Sequence, residues 1–171
     1  ILDLQDEICS GLESVDGKGR FKEDKWERPG GGGGQSRVIE NGAVFEKGGV
    51  NVSAVHGELP KSMMNKFEVE HARFFACGIS LVIHPESPFV PTSHANYRMF
   101  ELYDDKDQVV RRWFGGGADL TPYYLFKEDA KHFHITMKNA LDPFGQHYYP
   151  QFKKECDEYF VNHHREGEMR G

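Results

Sequence analysis

Cysteine is scarce in this chain: three in 171 residues, at positions 9, 77 and 156, odd in number, widely spaced and outside any CxxC pattern. That excludes a disulfide framework and a cysteine-based zinc module, and the thiols are expected to be reduced side chains of a cytosolic protein. No apolar run approaches the ~20 residues that a membrane-crossing helix needs, and no basic-then-apolar leader opens the chain, so a cytoplasmic location without a transmembrane segment is expected. Positive charge is in deficit. Against 27 acids stand 21 Lys and Arg, a net charge of −6, which argues against nucleic acid as the main partner. An anionic ligand must then be met by a local arginine or lysine and not by the overall field.

Nucleotide fingerprints are lacking as well. Five glycines at 30–34 lead into Gln35, Ser36 and Arg37, where a phosphate loop needs Lys-Ser/Thr, and Gly115–Gly117 has Leu120 where GxGxxG needs glycine. The residues 30–34 are expected to form a mobile surface loop, a lid, or a close backbone approach to a flat ligand. Nine histidines raise the question of metal. No HExxH pair exists, no cysteine accompanies a histidine at zinc spacing, and His132 and His134 diverge on a helix, leaving only a convergence of 84, 94, 134 and 164 open.

What is present reads as α+β. Ile1, Leu4, Ile8, Leu12 and Val15 recur at helical spacing. Arg37–Glu40 and Ala43–Lys47 flank Asn41-Gly42, the signal of a two-residue hairpin with positive φ at both positions. Val50–His56 follows as a strand after a Gly48-Gly49 break, and 60–76 looks helical. Ile79, Leu81, Val82 and Ile83 form a core strand, Pro85, Pro88 and Pro91 stiffen a loop, and a second strand runs from His94 to Leu102. Gln108–Phe114 predicts another antiparallel strand. Lys127–Leu141 predicts a helix with Glu128 and Asp129 near its positive end, and a further helix opens at Pro150. Strands in succession, then helices, predict an antiparallel sheet with helices packed on it, in a single domain over 1–171.

The candidate site lies on the second strand. His94, Asn96 and Arg98 sit at i, i+2 and i+4 and therefore share one face, offering a proton carrier, an amide and an anion clamp. Arg98, beside Met99 and Phe100, is expected to be partly buried and to seek a carboxylate. Gly115–Gly117 removes bulk after Trp113-Phe114 and delivers Asp119, which composition alone reads as a turn or N-cap residue.

Five blocks carry a resemblance to a known family: KWERPGGGGGQSRVIENGAVFEKGGVNVSAVHG (25–57), GISLVIHPESPFVPTSHANYRMFE (78–101), WFGGGADLTPYY (113–124), EDAKHFH (128–134) and YYPQFKKECDEYFVNHHREGEMRG (148–171). In this order they resemble oxygen-dependent coproporphyrinogen III oxidase, an enzyme of haem biosynthesis. The resemblance implies a large antiparallel sheet sandwiched between helical layers (an α/β/α sandwich) and assembly as a homodimer. It implies oxidative decarboxylation of two propionates of coproporphyrinogen III to vinyl groups, with dioxygen as oxidant, carbon dioxide and hydrogen peroxide released, and protoporphyrinogen IX as product. Ser80 matches the family's substrate-contacting serine, His94 its proton donor, Asn96, Tyr97 and Arg98 its substrate segment, and Asp119 its pyrrole-facing aspartate. Four histidines that bind a divalent metal in some relatives match His84, His94, His134 and His164; other relatives are regarded as needing no metal or organic cofactor, and a cofactor-free reaction is the expectation here. The family continues past Gly171, so the chain is expected to be part of the family fold. The competing readings are a non-catalytic tetrapyrrole-binding relative and a histidine-ligated metal-dependent oxygenase.

Overall fold

The computed structural model describes residues 1–67 and 72–160. Six strands form one antiparallel sheet in the order β1-β2-β3-β4-β5-β6. They are β1 (Lys22–Glu27), β2 (Gly32–Glu40), β3 (Phe45–Glu58), β4 (Arg73–Pro85), β5 (Thr92–Tyr103) and β6 (Val109–Thr121), with helices α1 (Leu2–Asp16), α2 (Lys61–Phe67), α3 (Lys127–Leu141) and α4 (Tyr148–Tyr159). Each strand pairs with the next in sequence, so the sheet is a meander, with α2 in the connection between β3 and β4.

Alternation along the strands decides which helix covers which face, because directly paired residues point the same way. Val50 pairs with Leu81, Val52 with Ile79, and Gly48 with both Ile39 and Ile83. Under that face lies α1, whose Ile8, Cys9 and Leu12 pack against Ile39, Val50, Val52, Ile79 and Ile83. Burying aliphatic side chains of this size is worth roughly 1.5–3 kcal/mol each. The other face holds Phe74, Phe100, Leu102 and Trp113 at one end, where Met63, Met64 and Phe67 of α2 cover them. Phe100 and Trp113 stack with centroids 4.4 Å apart. The sheet is thus flanked by helices on both faces, the α+β arrangement expected. No described helix is long and apolar enough to cross a membrane.

Asp16 joins the end of α1 to the sheet. Gly17 terminates the helix in a left-handed conformation (φ 75°). The Asp16 carboxylate then accepts backbone N–H bonds from Gly19, Ala43, Val44 and Phe45. Those donors, Phe45 first and Gly19 next, hold its carboxyl far below the usual range. Because the folded state favours the charged form, its contribution is full above the unfolded value near ~3.9 and is lost as pH falls below it. Asp16→Ala is expected to lower Tm by on the order of 10 °C at neutral pH, and to flatten the acid limb of the stability curve. Thermal unfolding followed from neutral pH to pH 3 reads both effects.

Several local expectations are corrected. The five-glycine run is no mobile loop: Gly33 and Gly34 are strand residues paired to both β1 and β3, and Gly32 pairs with Val55 of β3. Gly31 and Gly32 hold φ of 111° and 82° in the turn, and a Cβ at Gly34 would run into the Trp26 indole, so close packing demands the glycines. The Asn41-Gly42 connection is wider than a two-residue turn; β2–β3 pairing stops at Glu40 and Lys47, and only Asn41 has positive φ (54°). Asp16 explains this, since it binds three consecutive N–H groups there and occupies the space beside Gly42. Gly48-Gly49 does not break β3. A Cβ at Gly48 would lie 3.0 Å from Ile83 Cδ1 and 3.1 Å from Ile39 Cγ2, so the core excludes a side chain at that point. Among the described residues of 60–76 only Lys61–Phe67 is helical, and Arg73 onward belongs to β4. All three cysteines are free.

Candidate active site

The uncovered part of the second face spans the middle of β3, β4, β5 and β6. Register lays it out in rows. Gly49, Val82, His94 and Asp119 lie side by side; next come Asn51, Ser80, Asn96 and Gly117; then Ser53, Gly78, Arg98 and Gly115. Strand spacing and rise make this floor about 14 Å across the strands and about 14 Å along them. None of these residues is buried.

His94 and Asp119 are direct cross-strand neighbours, and His94 Nδ1 lies 2.8 Å from Asp119 Oδ2. A carboxylate accepting from Nδ1–H fixes the tautomer and leaves Nε2 to face the open side as the proton-exchanging atom. Asp119 is therefore a strand residue, not the turn or N-cap residue that composition suggests. Arg98 is also corrected. It is exposed and has no carboxylate among the described residues; its Nε and Nη2 donate to Asn96 Oδ1 at 3.1 and 2.9 Å. Asn96 thereby aligns the guanidinium along the floor and leaves the remaining N–H groups for an anion. Gly78 makes room for it, since a Cβ there would sit 2.9 Å from Arg98 Cβ.

Ser80 falls between Asn51 and Asn96 on the same face. Tyr97 does not join the group. It pairs with Ile79 and Gly116 and so points to the α1 side, where its ring covers Gly116, because the alternation of a strand separates it from both neighbours. His84 is on the site face but bonds Thr92 Oγ1 at 3.4 Å, and His134, on α3, bonds the Tyr149 hydroxyl at 3.1 Å. His164 lies outside the described residues. Among the described residues no group of three or more metal-ligating side chains forms.

Among the described residues the site is an open platform, not a closed pocket. Depressions of about 310 and 320 Å³ lie beside His84 and Lys47, and between α3 and Leu120; neither is lined by His94, Arg98 or Asp119. Its texture is unusual for a solvated sheet face, which carries long polar side chains. Glycine and asparagine are depleted in strands, yet they crowd this floor. A Cβ added at Gly115 or Gly117 would meet nothing within 4 Å, so no packing among the described residues requires glycine there. Glycine inside a strand often marks a bulge, a tight bend, or a place where a ligand or another backbone comes close. The sequence reading missed Asn51, although the alternation Gly49, Asn51, Ser53 along β3 carries the same signal.

An antiparallel sheet flanked by helices, with a bare floor bearing an arginine and a histidine–carboxylate pair, defines an α+β protein with an anion-pairing side chain and a proton-carrying side chain on one sheet face. The family model described as coproporphyrinogen III oxidase matches residues 1–171. The chain is 53% identical over 181 residues to an oxygen-dependent coproporphyrinogen-III oxidase, chloroplastic, from Glycine max, covering 100% of this chain and 47% of the relative. It is 52% identical over 173 residues to an oxygen-dependent coproporphyrinogen-III oxidase from Prochlorococcus marinus (strain NATL2A), covering 100% of this chain and 48% of the relative. The chain belongs to the coproporphyrinogen III oxidase family. It spans about half the length of the curated relatives it matches.

Proposed function

We propose that this chain carries the substrate platform, within a single catalytic domain, of an oxygen-dependent coproporphyrinogen III oxidase acting in porphyrin biosynthesis. The observation that carries the reading is the His94–Asp119 pair, 2.8 Å apart, set on a glycine-lined floor with Arg98 on the same strand face. Each of two propionates loses carbon dioxide and becomes a vinyl group. The two electrons and two protons go to dioxygen, giving hydrogen peroxide.

The side chains divide the work. Arg98, aligned by Asn96, pairs a propionate of the tetrapyrrole, and Ser80 adds a hydroxyl to the same row. Asp119 orients His94 through Oδ2 and turns its other oxygen to the pyrrole N–H groups, which enriches the ring toward oxidation. His94 Nε2 moves the proton that accompanies loss of the propionate β-hydrogen. The macrocycle is itself easily oxidised, so positioning and electrostatics suffice, and the reaction is taken to need neither metal nor organic cofactor. Activity that survives chelator treatment and elemental analysis would support this, and activity restored only by added metal would reverse it. Homodimeric assembly and a cytoplasmic location complete the proposal, although the Glycine max relative is named as chloroplastic.

The test is stoichiometry with the full-length protein. Two carbon dioxide and two hydrogen peroxide molecules per protoporphyrinogen formed, with dependence on dioxygen, are expected; tight tetrapyrrole binding without turnover would establish the non-catalytic alternative. Arg98→Lys is a finer check. Loss of the planar fork is expected to raise KM about 10-fold while changing kcat little, read by steady-state kinetics.

A further inference from the structure

We infer that the ligand-contacting surface extends past β4 onto β3, where Asn51 is a substrate-positioning residue; this rests on the activity proposed above. Asn51 pairs directly with Ser80, which pairs with Asn96, so a hydroxyl and two amides cross three adjacent strands in one straight row. Asn51 is exposed, and among the described residues its side chain has no hydrogen-bond partner. Two observations separate this from an ordinary solvated face. The residue before it on the same face, Gly49, meets only Asn51 Nδ2 at 3.7 Å and an Arg37 carbonyl at 4.0 Å when a Cβ is added, so glycine there is no packing necessity. The residue after it is Ser53, whose cross-strand partners are Gly34 and Gly78. Side chains around Asn51 are therefore short in every direction along the floor, and its amide is the tallest hydrogen-bonding group on that part of β3.

Asn51 lies two strands across and two residues along from His94, about 12 Å away by strand spacing and rise. A ligand whose reacting side chain is at His94 and whose ring rests on Gly117 and Ser80 places a different edge over Asn51. That edge carries another carboxylate of the tetrapyrrole, to which the amide N–H donates. Asn51 does not touch the reacting atoms, so it fixes the ring's position and not the chemistry.

The experiment uses the full-length protein with Asn51→Leu, Asn51→Asp and, as a control on the opposite alternation of the same strand, Val55 left intact with Ala54→Ser. Leucine keeps the shape of asparagine and removes its donor; aspartate adds a charge that a carboxylate repels. Expected are KM increases of about 10-fold for Asn51→Leu and larger for Asn51→Asp, with kcat within about threefold, unchanged Tm and an unaffected control. Coproporphyrinogen kinetics in which both Asn51 variants match the unsubstituted protein within twofold would overturn the inference while leaving the activity standing. Absence of turnover in the unsubstituted full-length protein would overturn the activity and this inference together. Equal loss of kcat, KM and Tm in all variants, control included, would assign Asn51 to folding and also overturn it.

Discussion

Asp119→Asn is expected to lower kcat of the full-length protein by about 10²–10⁴-fold with little change in Tm. The prediction follows from one contact. His94 Nδ1 faces Asp119 Oδ2 at 2.8 Å, and only an acceptor there keeps the proton on Nδ1 and the Nε2 lone pair toward the platform. Asparagine preserves volume but can present its NH₂, which stabilises the opposite tautomer. Folding should be nearly indifferent, because both side chains are partly exposed and neither belongs to a core cluster. His94→Ala should fall in the same range, and the double variant should lose little more, since groups that act as one unit are not additive. Single-turnover and steady-state rates, with thermal melts on the same samples, check all three. Normal kcat in Asp119→Asn would break the proposed unit.

Gly117→Val is expected to separate stability from activity. For a sheet interior valine is the better residue, and glycine costs roughly 0.5–1 kcal/mol relative to alanine. A Cβ at Gly117 meets nothing within 4 Å, so the substitution should leave Tm unchanged or raise it. The two methyl groups would nevertheless stand above the floor between Asn96 and Asp119, where the ring is proposed to lie. A fall in kcat/KM of at least about 100-fold is expected, because lost contact and misplacement act together. Gly116→Val gives the contrast: its Cβ would strike the Asn96 carbonyl and the Tyr97 ring on the other face, so that protein should be destabilised first. If Gly117→Val turned over normally, the glycines would have no role in binding.

The sequence made the elements with strong local signals legible. Lys127–Leu141 matches its predicted bounds, and the first helix differs by one residue at each end. The apolar run 79–83 and the polar spacing 94, 96, 98 located β4, β5 and the site face before any geometry was available. Failures came where a local signal has two physical causes. Glycine in a run reads as flexibility, but Gly32–Gly34 and Gly48 are glycine because neighbouring atoms leave no room, a tertiary fact. Asn41-Gly42 reads as a tight turn, yet Asp16, more than twenty residues upstream, reshapes it. Tyr97 entered the site by matching a family segment, and the two-residue period of β5 sends it to the opposite face. The pairing of His94 with Asp119 required the β5–β6 register, which no local pattern encodes. Asn51 was passed over because an asparagine among alternating residues looks like a solvated position until the bare glycines around it are seen in three dimensions.

The most direct test is a crystal structure of the full-length protein with coproporphyrin III, the stable aromatic counterpart of the substrate. The ring should rest over Ser80, Asn96 and Gly117, with one propionate on the Arg98 guanidinium and the pyrrole nitrogens facing Asp119. A ring bound elsewhere, with the strand floor still open to solvent and His94 touching no ligand, would contradict the account.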